Sequence, residues 1–141
     1  MKELLKLTLF GLALSACSKS NNSNLLSGKW AENRVVDQYI NPYNNNVEFD
    51  TLSSPSVLIE FKDDGGYYIE GTQSGSYLLS SDTTYTLKPN GTIYNFDISN
   101  SVLKTRRDGM YGEQIQIFDP VNSGAYKYAN VQFVFAEYQK Q

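Results

Sequence analysis

The sequence of 141 residues contains no histidine and only one cysteine, Cys17. Without histidine, the chain can form neither a Ser–His or Cys–His nucleophile pair nor a histidine-ligated metal site. A single cysteine cannot form a disulfide within the chain, so packing must hold the fold together. Catalysis by carboxylates alone, as in glycoside hydrolysis, needs a facing pair, whereas the acidic residues fall mostly in turn sequences such as Asp63-Asp64. We therefore expect a non-enzymatic protein with no catalytic residue, no metal and no cofactor.

Positive charge and long hydrophobic runs are also scarce. Twelve lysines and arginines oppose 15 acidic residues, and the net charge of −3 argues against nucleic acid as a partner, because phosphate binding requires a basic surface. The most extended apolar run, Leu4 to Ala16, is shorter than the roughly 20 residues that a membrane-spanning helix needs. After the charged start Met1-Lys2-Glu3, it is typical of the apolar region of a secretory signal peptide.

The segment Leu14-Ser15-Ala16-Cys17 resembles a bacterial lipobox. The resemblance implies cleavage after residue 16 and lipidation of the Cys17 thiol with a diacylglycerol and fatty acyl chains such as palmitate. It also implies an exported protein anchored in a membrane through its N-terminal lipid. Because Ser18 stands where aspartate would favour the inner membrane, we expect the outer membrane, while the side that the domain faces stays open. The alternative is an ordinary secretory signal followed by a chance cysteine.

The residues after Cys17 predict a tether followed by one domain. Ser18 to Asn24 contains no apolar residue, so residues 17–26 are expected to form a flexible connection to a domain at 27–141. Removal of residues 1–16 leaves 125 residues, enough for a single hydrophobic core. Loss of Lys2, Glu3 and Lys6 lowers the net charge from −3 to −4. No internal repeat or second domain boundary is evident, and we expect a monomer.

The domain sequence is dominated by short runs of Tyr, Phe, Val, Ile and Thr separated by Gly, Asn, Asp and Ser, which is the pattern of antiparallel strands. The turn Asp63-Asp64-Gly65-Gly66 is the strongest hairpin signal. Closing such a meander removes its exposed edges, so we predict an all-β barrel of about eight strands. The predicted strands are Lys29–Gln38, Val57–Lys62, Tyr67–Glu70, Gly75–Leu79, Thr83–Lys88, Thr92–Ile98, Val102–Arg106, Gln114–Phe118 and Lys127–Tyr138.

Alternation within the strands predicts which side chains face inward. In one strand Tyr94, Phe96 and Ile98 share an apolar face, and in the last strand Val131, Phe133 and Phe135 do so. Two connections are longer than the rest. Ile40 to Pro55 is an Asn-rich connection between the first two strands, and Asp119 to Ala125 is a second loop. Each is either a lid or binding loop, or tolerated surface.

Three segments resemble the small lipocalin-like lipoproteins of Bacteroidetes: Leu25-Leu26-Ser27-Gly28-Lys29-Trp30, then Phe61 to Tyr67, then Gly75-Ser76-Tyr77-Leu78. The first carries the Gly-x-Trp of the lipocalin opening strand. The resemblance implies a lipocalin-like barrel in which Gly28 and Trp30 lie at the closed base, the tryptophan beneath an arginine from a late strand. No arginine follows Arg107, so that partner is Arg106, Arg107 or missing.

The resemblance also implies a role, namely binding of a small apolar or amphipathic ligand inside the barrel. Under this hypothesis the lining residues are Tyr77, Tyr85, Tyr94, Phe96, Phe133 and Phe135. The alternative is a surface interaction or adhesion module for a protein or glycan partner, which would use the 40–55 loop and exposed tyrosines. The tyrosines considered are Tyr67, Tyr68, Tyr77, Tyr85 and Tyr111. Asp50-Thr51 and Asp82-Thr83 resemble the O-glycosylation signal of exported Bacteroidetes proteins, and whether either is used stays open.

Overall fold

The computed structural model describes residues 25–52 and 57–141. The predicted signal peptide, the lipidation site Cys17 and the tether Ser18 to Asn24 lie outside these residues. Within them, no helix is long and apolar enough to span a membrane.

Between Gly28 and Lys140 every regular element of the described residues is a strand, and all of their pairings are antiparallel. The sheet order is β2-β1-β3-β4-β5-β6-β7-β8-β10-β9, and an additional β1–β10 pairing closes eight of the strands into a barrel. The prediction of an all-β barrel of about eight strands is therefore confirmed. The strands are β1 (Gly28–Ile40), β2 (Val47–Leu52), β3 (Leu58–Phe61), β4 (Gly66–Ile69), β5 (Thr72–Ser81), β6 (Thr84–Lys88), β7 (Ile93–Ser99), β8 (Val102–Asp108), β9 (Gln114–Phe118) and β10 (Tyr126–Lys140).

The two long strands β1 and β10 continue beyond the barrel at one end. Gly28–Ala31 of β1 pairs with β3, whereas its Val35–Ile40 pairs with β2. In the same way Phe133–Gln139 of β10 pairs with β8, and its Tyr126–Asn130 pairs with β9. The strands β2, β1, β10 and β9 thus form a four-stranded extension of the barrel wall, which we call the extension.

The prediction that Ile40 to Pro55 is one long loop is wrong, because the segment folds back into β2. Its asparagines build a tight turn instead. The amide of Asn41 donates hydrogen bonds to both carboxylate oxygens of Glu48, at 3.0 and 3.1 Å, and Asn44 donates a third at 3.0 Å. Asn45 adopts a φ of 59°, which asparagine tolerates better than most residues. The second predicted loop, Asp119 to Ala125, is observed between β9 and β10.

Trp30 closes the base of the barrel. Its side chain is fully buried, and its Nε1 donates a hydrogen bond of 2.7 Å to the carbonyl of Leu26. The cation beside the indole is neither Arg106 nor Arg107 but Lys140, whose Nζ lies 5.3 Å from the ring centre. Of the three alternatives left open by the sequence, the arginine partner is the missing one: Arg106 lies over the ring of Phe133, and Arg107 pairs with Glu113.

The expected inward face of β10 is also wrong over its second half. In the pairing of β1 with β10, Tyr39 lies opposite Val131, but the preceding Gln38 lies opposite Phe133. Gln132 is therefore an extra residue in β10 without a partner in β1. A one-residue bulge reverses the alternation, and after it Val134 and the residues in step with it face inward. Phe133 and Phe135 consequently lie on the outer wall rather than inside the barrel.

Candidate functional site

The two ends of the barrel differ in what fills them. Gly28, Lys140 and the turn at Ser101 lie together at the closed base, since the amide of Lys140 donates to the carbonyl of Ser101 at 2.9 Å. The extension rises from the opposite end, which we call the mouth. The interior changes from apolar to polar between base and mouth, and this change locates the candidate site.

The lower part of the barrel is packed with side chains. The ring of Phe61 contacts Tyr77 at 5.0 Å and Tyr85 at 5.4 Å between ring centres, and Tyr85 in turn contacts Phe96 at 5.6 Å. The hydroxyl of Tyr77 donates to the carbonyl of Lys62 at 2.9 Å. Tyr77, Tyr85 and Phe96 therefore lie inside the barrel as predicted, but as members of a closed core. A ligand inside the barrel would therefore have to lie above them.

A layer of tyrosines lies above the core. Tyr94 stacks on Tyr85 with ring centres 4.9 Å apart and planes 2° apart, and Tyr67 and Tyr138 pack beside them, half-buried. Burial raises the pKa of Tyr67 to about 12, and burial also raises the pKa values of Tyr85 and Tyr138. All of these hydroxyls are consequently protonated at neutral pH, and each can both donate and accept a hydrogen bond.

An ion pair stands at the rim of this layer. Arg107 of β8 donates from Nη1 and Nη2 to the two carboxylate oxygens of Glu113, each at 2.8 Å. Glu113 also accepts from the backbone amide of Met110 at 2.9 Å, and the hydrogen bond from Arg107 is the main reason why the pKa of Glu113 is lowered. Burial raises the pKa of Tyr94, and the nearby Arg107 partly offsets that rise. The guanidinium is therefore largely engaged by its own neighbours.

Asp37 is the second charged group of the mouth, and it is only 6% exposed. Val134 of β10 lies between Asp37 on the neighbouring strand β1 and Arg107 on the neighbouring strand β8. The side chains of Asp37 and Arg107 therefore lie on the same inward face of the sheet. Burial raises the pKa of Asp37, and the neighbouring Glu113 raises it further against the opposing effect of Arg107. Among residues 25–52 and 57–141, no group donates a hydrogen bond to its carboxylate.

Among the described residues, Asp37 and Glu113 bring two carboxylates to the one guanidinium of Arg107, so these three groups together carry a net negative charge. Sequence analysis predicted neither Asp37 nor Arg107 as a site residue. The available signal was the alternation Leu103, Thr105, Arg107, which puts the arginine in step with two buried neighbours.

A separate groove of about 320 Å³ lies on the outer wall. Phe135 and Phe49 supply its aromatic surface, and Arg34, Lys104 and Glu137 border it. Two of the six predicted lining residues, Phe133 and Phe135, belong to this outer wall, and the other four lie inside the barrel.

The tyrosines proposed for a surface cluster do not form one. Tyr77 and Tyr85 are buried, Tyr67 and Tyr68 are half-buried, and Tyr111 alone of the five is fully exposed. The exposed aromatic residues lie elsewhere, on the outer face of the extension. There Phe118, Tyr126 and Tyr128 form successive edge-to-face ring contacts. Of the candidate glycosylation threonines, Thr51 lies exposed in β2 rather than in a loop, and Thr83 lies in the β5–β6 turn.

In the described ranges no group of three or more Asp, Glu, His or Cys side chains is arranged to hold a metal ion. No protein-family model, no curated protein and no solved structure matches the chain.

Proposed function

We propose that this chain is a membrane-anchored, exported lipoprotein, similar to lipocalins, whose barrel binds a small amphipathic ligand at its mouth without catalysis. The observation that carries the proposal is the layer of half-buried Tyr94, Tyr138 and Arg107 with the buried Asp37 above a packed apolar base. Ligand pockets combine apolar and aromatic walls with a few convergent polar groups, and this layer has that composition. Anchoring rests on the lipobox-like sequence that ends at Cys17.

The packed base limits the ligand to the upper part of the barrel. Phe61, Tyr77 and Tyr85 fill the cross-section below the tyrosine layer, so a long chain cannot descend to Trp30. A ligand at the mouth would lie against Tyr94 and Tyr138 and extend along the concave side of the extension. This favours a short amphiphile with a polar group near the rim.

The proposed absence of catalysis rests on the lack of histidine in the sequence and on the engagement of one mouth carboxylate, Glu113. A glycosidase needs one carboxyl as acid and another as nucleophile or base. Glu113 is held by two hydrogen bonds from Arg107, and its lowered pKa makes it a poor proton donor.

Native mass spectrometry of protein purified from its source membrane tests this function. We expect a small molecule to co-purify with the wild-type protein and to be lost from a Tyr94→Ala variant, which removes one wall of the mouth. Phe135→Ala is the matched control, because it shortens an aromatic side chain on the outer wall and should retain the ligand. Retention by Tyr94→Ala together with loss from Phe135→Ala would refute the proposed site.

A second candidate function is a surface interaction module, favoured by the aromatic side chains on the extension. Phe118, Tyr126 and Tyr128 are 64%, 49% and 57% exposed, and such residues are enriched at interfaces. In the same mass spectrum this function predicts a protein or glycan partner that a Tyr126→Ala, Tyr128→Ala double variant no longer retains.

A further inference from the structure

We infer that the mouth selects an organic cation: a ligand whose ammonium group binds Asp37 and whose apolar part lies against Tyr94 and Tyr138. This inference rests on the proposed function, because it names the ligand class of the same site. It depends on three features of the mouth, namely an unpartnered buried carboxylate, a guanidinium that is already engaged, and a wall of aromatic rings.

The carboxylate of Asp37 is the first feature. A buried carboxylate is costly unless a cation or hydrogen-bond donors compensate it. Asp37 is only 6% exposed, and no described group donates a hydrogen bond to its carboxylate. Every side-chain oxygen or nitrogen that is completely sealed among the described residues has a hydrogen-bond partner, so the oxygens of Asp37, which have none there, are not completely sealed. A ligand can therefore reach this carboxylate and supply the missing donor.

The engagement of Arg107 decides the sign of the ligand. A free guanidinium in a barrel would favour a carboxylate or phosphate, as in many anion sites. Here both terminal nitrogens of Arg107 already donate to Glu113 at 2.8 Å, which neutralises the guanidinium. An anion entering the mouth would thus meet Asp37 without a free cation to compensate it, whereas an ammonium ion would find its counter-charge.

The aromatic wall supplies the remaining attraction. The apolar chain of such a ligand is stabilised against aromatic rings, because apolar surface is removed from water. Tyr94 and Tyr138 pack against the core near Arg107, and both are half-buried. Together with Asp37 they form the combination of aromatic rings and a carboxylate that suits an alkylammonium or a related amine.

Isothermal titration of the mature protein with three octyl compounds tests the inference. Octylammonium, octanol and octanoate share one chain and differ in the charge of the head group. At neutral pH we expect octylammonium to bind at least tenfold more tightly than octanol, and octanoate to bind most weakly. Asp37→Asn should weaken octylammonium at least tenfold and leave octanol unchanged.

Asp97→Asn provides the matched control. Asp97 is an exposed carboxylate that pairs across from Lys104 on the outer face of β7 and β8, so its removal changes the net charge equally without touching the mouth. We expect this variant to bind octylammonium as the wild type does. Equal weakening by both variants would overturn the role of Asp37, because it would reflect overall charge alone.

The three probes separate failure of the inference from failure of the proposed function. If octanol or octanoate binds as tightly as octylammonium, the cation preference is refuted while ligand binding at the barrel stands. If none of the three binds, both the inference and the amphiphile-binding function are contradicted.

Discussion

At the scale of single residues, Asp37 is a position where the burial of a charged carboxylate lowers the stability of the fold. Its buried carboxylate is approached by Glu113 and Asp50, and both raise its pKa in addition to the effect of burial. Groups whose pKa values are perturbed in this way are concentrated at functional sites. The local sequence Val35-Val36-Asp37 reads as an ordinary strand, so the burial of Asp37 could not be predicted without knowing that β10 closes the barrel beside it.

We predict that Asp37→Asn stabilises the protein at neutral pH by about 1 kcal/mol, because it removes a buried charge that accepts no hydrogen bond from the described residues. The folded pKa is raised above the ordinary value of 3.8, so the carboxylate costs stability as the pH rises through the folded pKa. The advantage of the variant should therefore shrink as the pH falls toward 3.8. Urea denaturation at neutral and acidic pH measures it, and a variant less stable than wild type at neutral pH would contradict this account.

At the scale of elements, local signals predicted most strands and turns. In contrast, which side chains of β10 face the barrel interior depended on how β10 pairs with its partner strand. The turn Asp63 to Gly66 and the strands around it were evident because glycine and alternation act locally. The bulge at Gln132 is not visible in β10 itself. It accompanies Gly109, where a Cβ atom would lie 1.8 Å from the carbonyl oxygen of Val131 and only glycine fits. That approach joins distant segments, which explains why Phe133 and Phe135 were assigned to the wrong face.

We predict that Glu113→Gln loosens the loop from Gly109 to Glu113. The substitution removes the charge-assisted hydrogen bonds to Arg107 and should lower the free energy of unfolding by about 1 to 2 kcal/mol. Because the folded pKa of Glu113 is lowered from 4.5, this stability is present above 4.5 and is lost as the pH falls through the folded pKa.

Hydrogen exchange of the Met110 amide, which donates to Glu113, is the readout for that variant. We expect faster exchange in Glu113→Gln than in wild type at neutral pH and a smaller difference in acid. Glu137→Gln on the outer wall is the control and should leave Met110 unchanged. Equal protection of Met110 in wild type and Glu113→Gln would exclude the ion pair as the anchor of this loop.

At the scale of the whole molecule, the fold class was predictable and the site was not. Composition, alternation and short turns all favour a closed antiparallel barrel, and each of these signals is local. The site combines Asp37 of β1, Tyr94 of β7 and Arg107 of β8, which only barrel closure through β10 brings to one mouth. Of the four predicted lining residues that lie inside the barrel, Tyr77, Tyr85 and Phe96 belong to the packed core beneath the site.

We predict that Cys17→Ser abolishes membrane anchoring, because the serine hydroxyl cannot form the thioether to diacylglycerol. Fractionation of cells that express the variant should yield an uncleaved precursor or a soluble product instead of a lipidated membrane protein. Ser20→Ala in the predicted tether is the control and should remain anchored. Lipid labelling of the Cys17→Ser variant equal to wild type would refute the lipobox assignment.

The central claim is that ligands bind in the mouth rather than in the outer groove, and NMR of protein with labelled aromatic rings tests it most directly. During titration with octanol and with octylammonium, we predict saturable shifts of the Tyr94 and Tyr138 ring signals. Phe49 and Phe135, which line the outer groove, should keep their positions. Shifts confined to Phe49 and Phe135, or no shift of any ring signal at saturating probe, would contradict the claim.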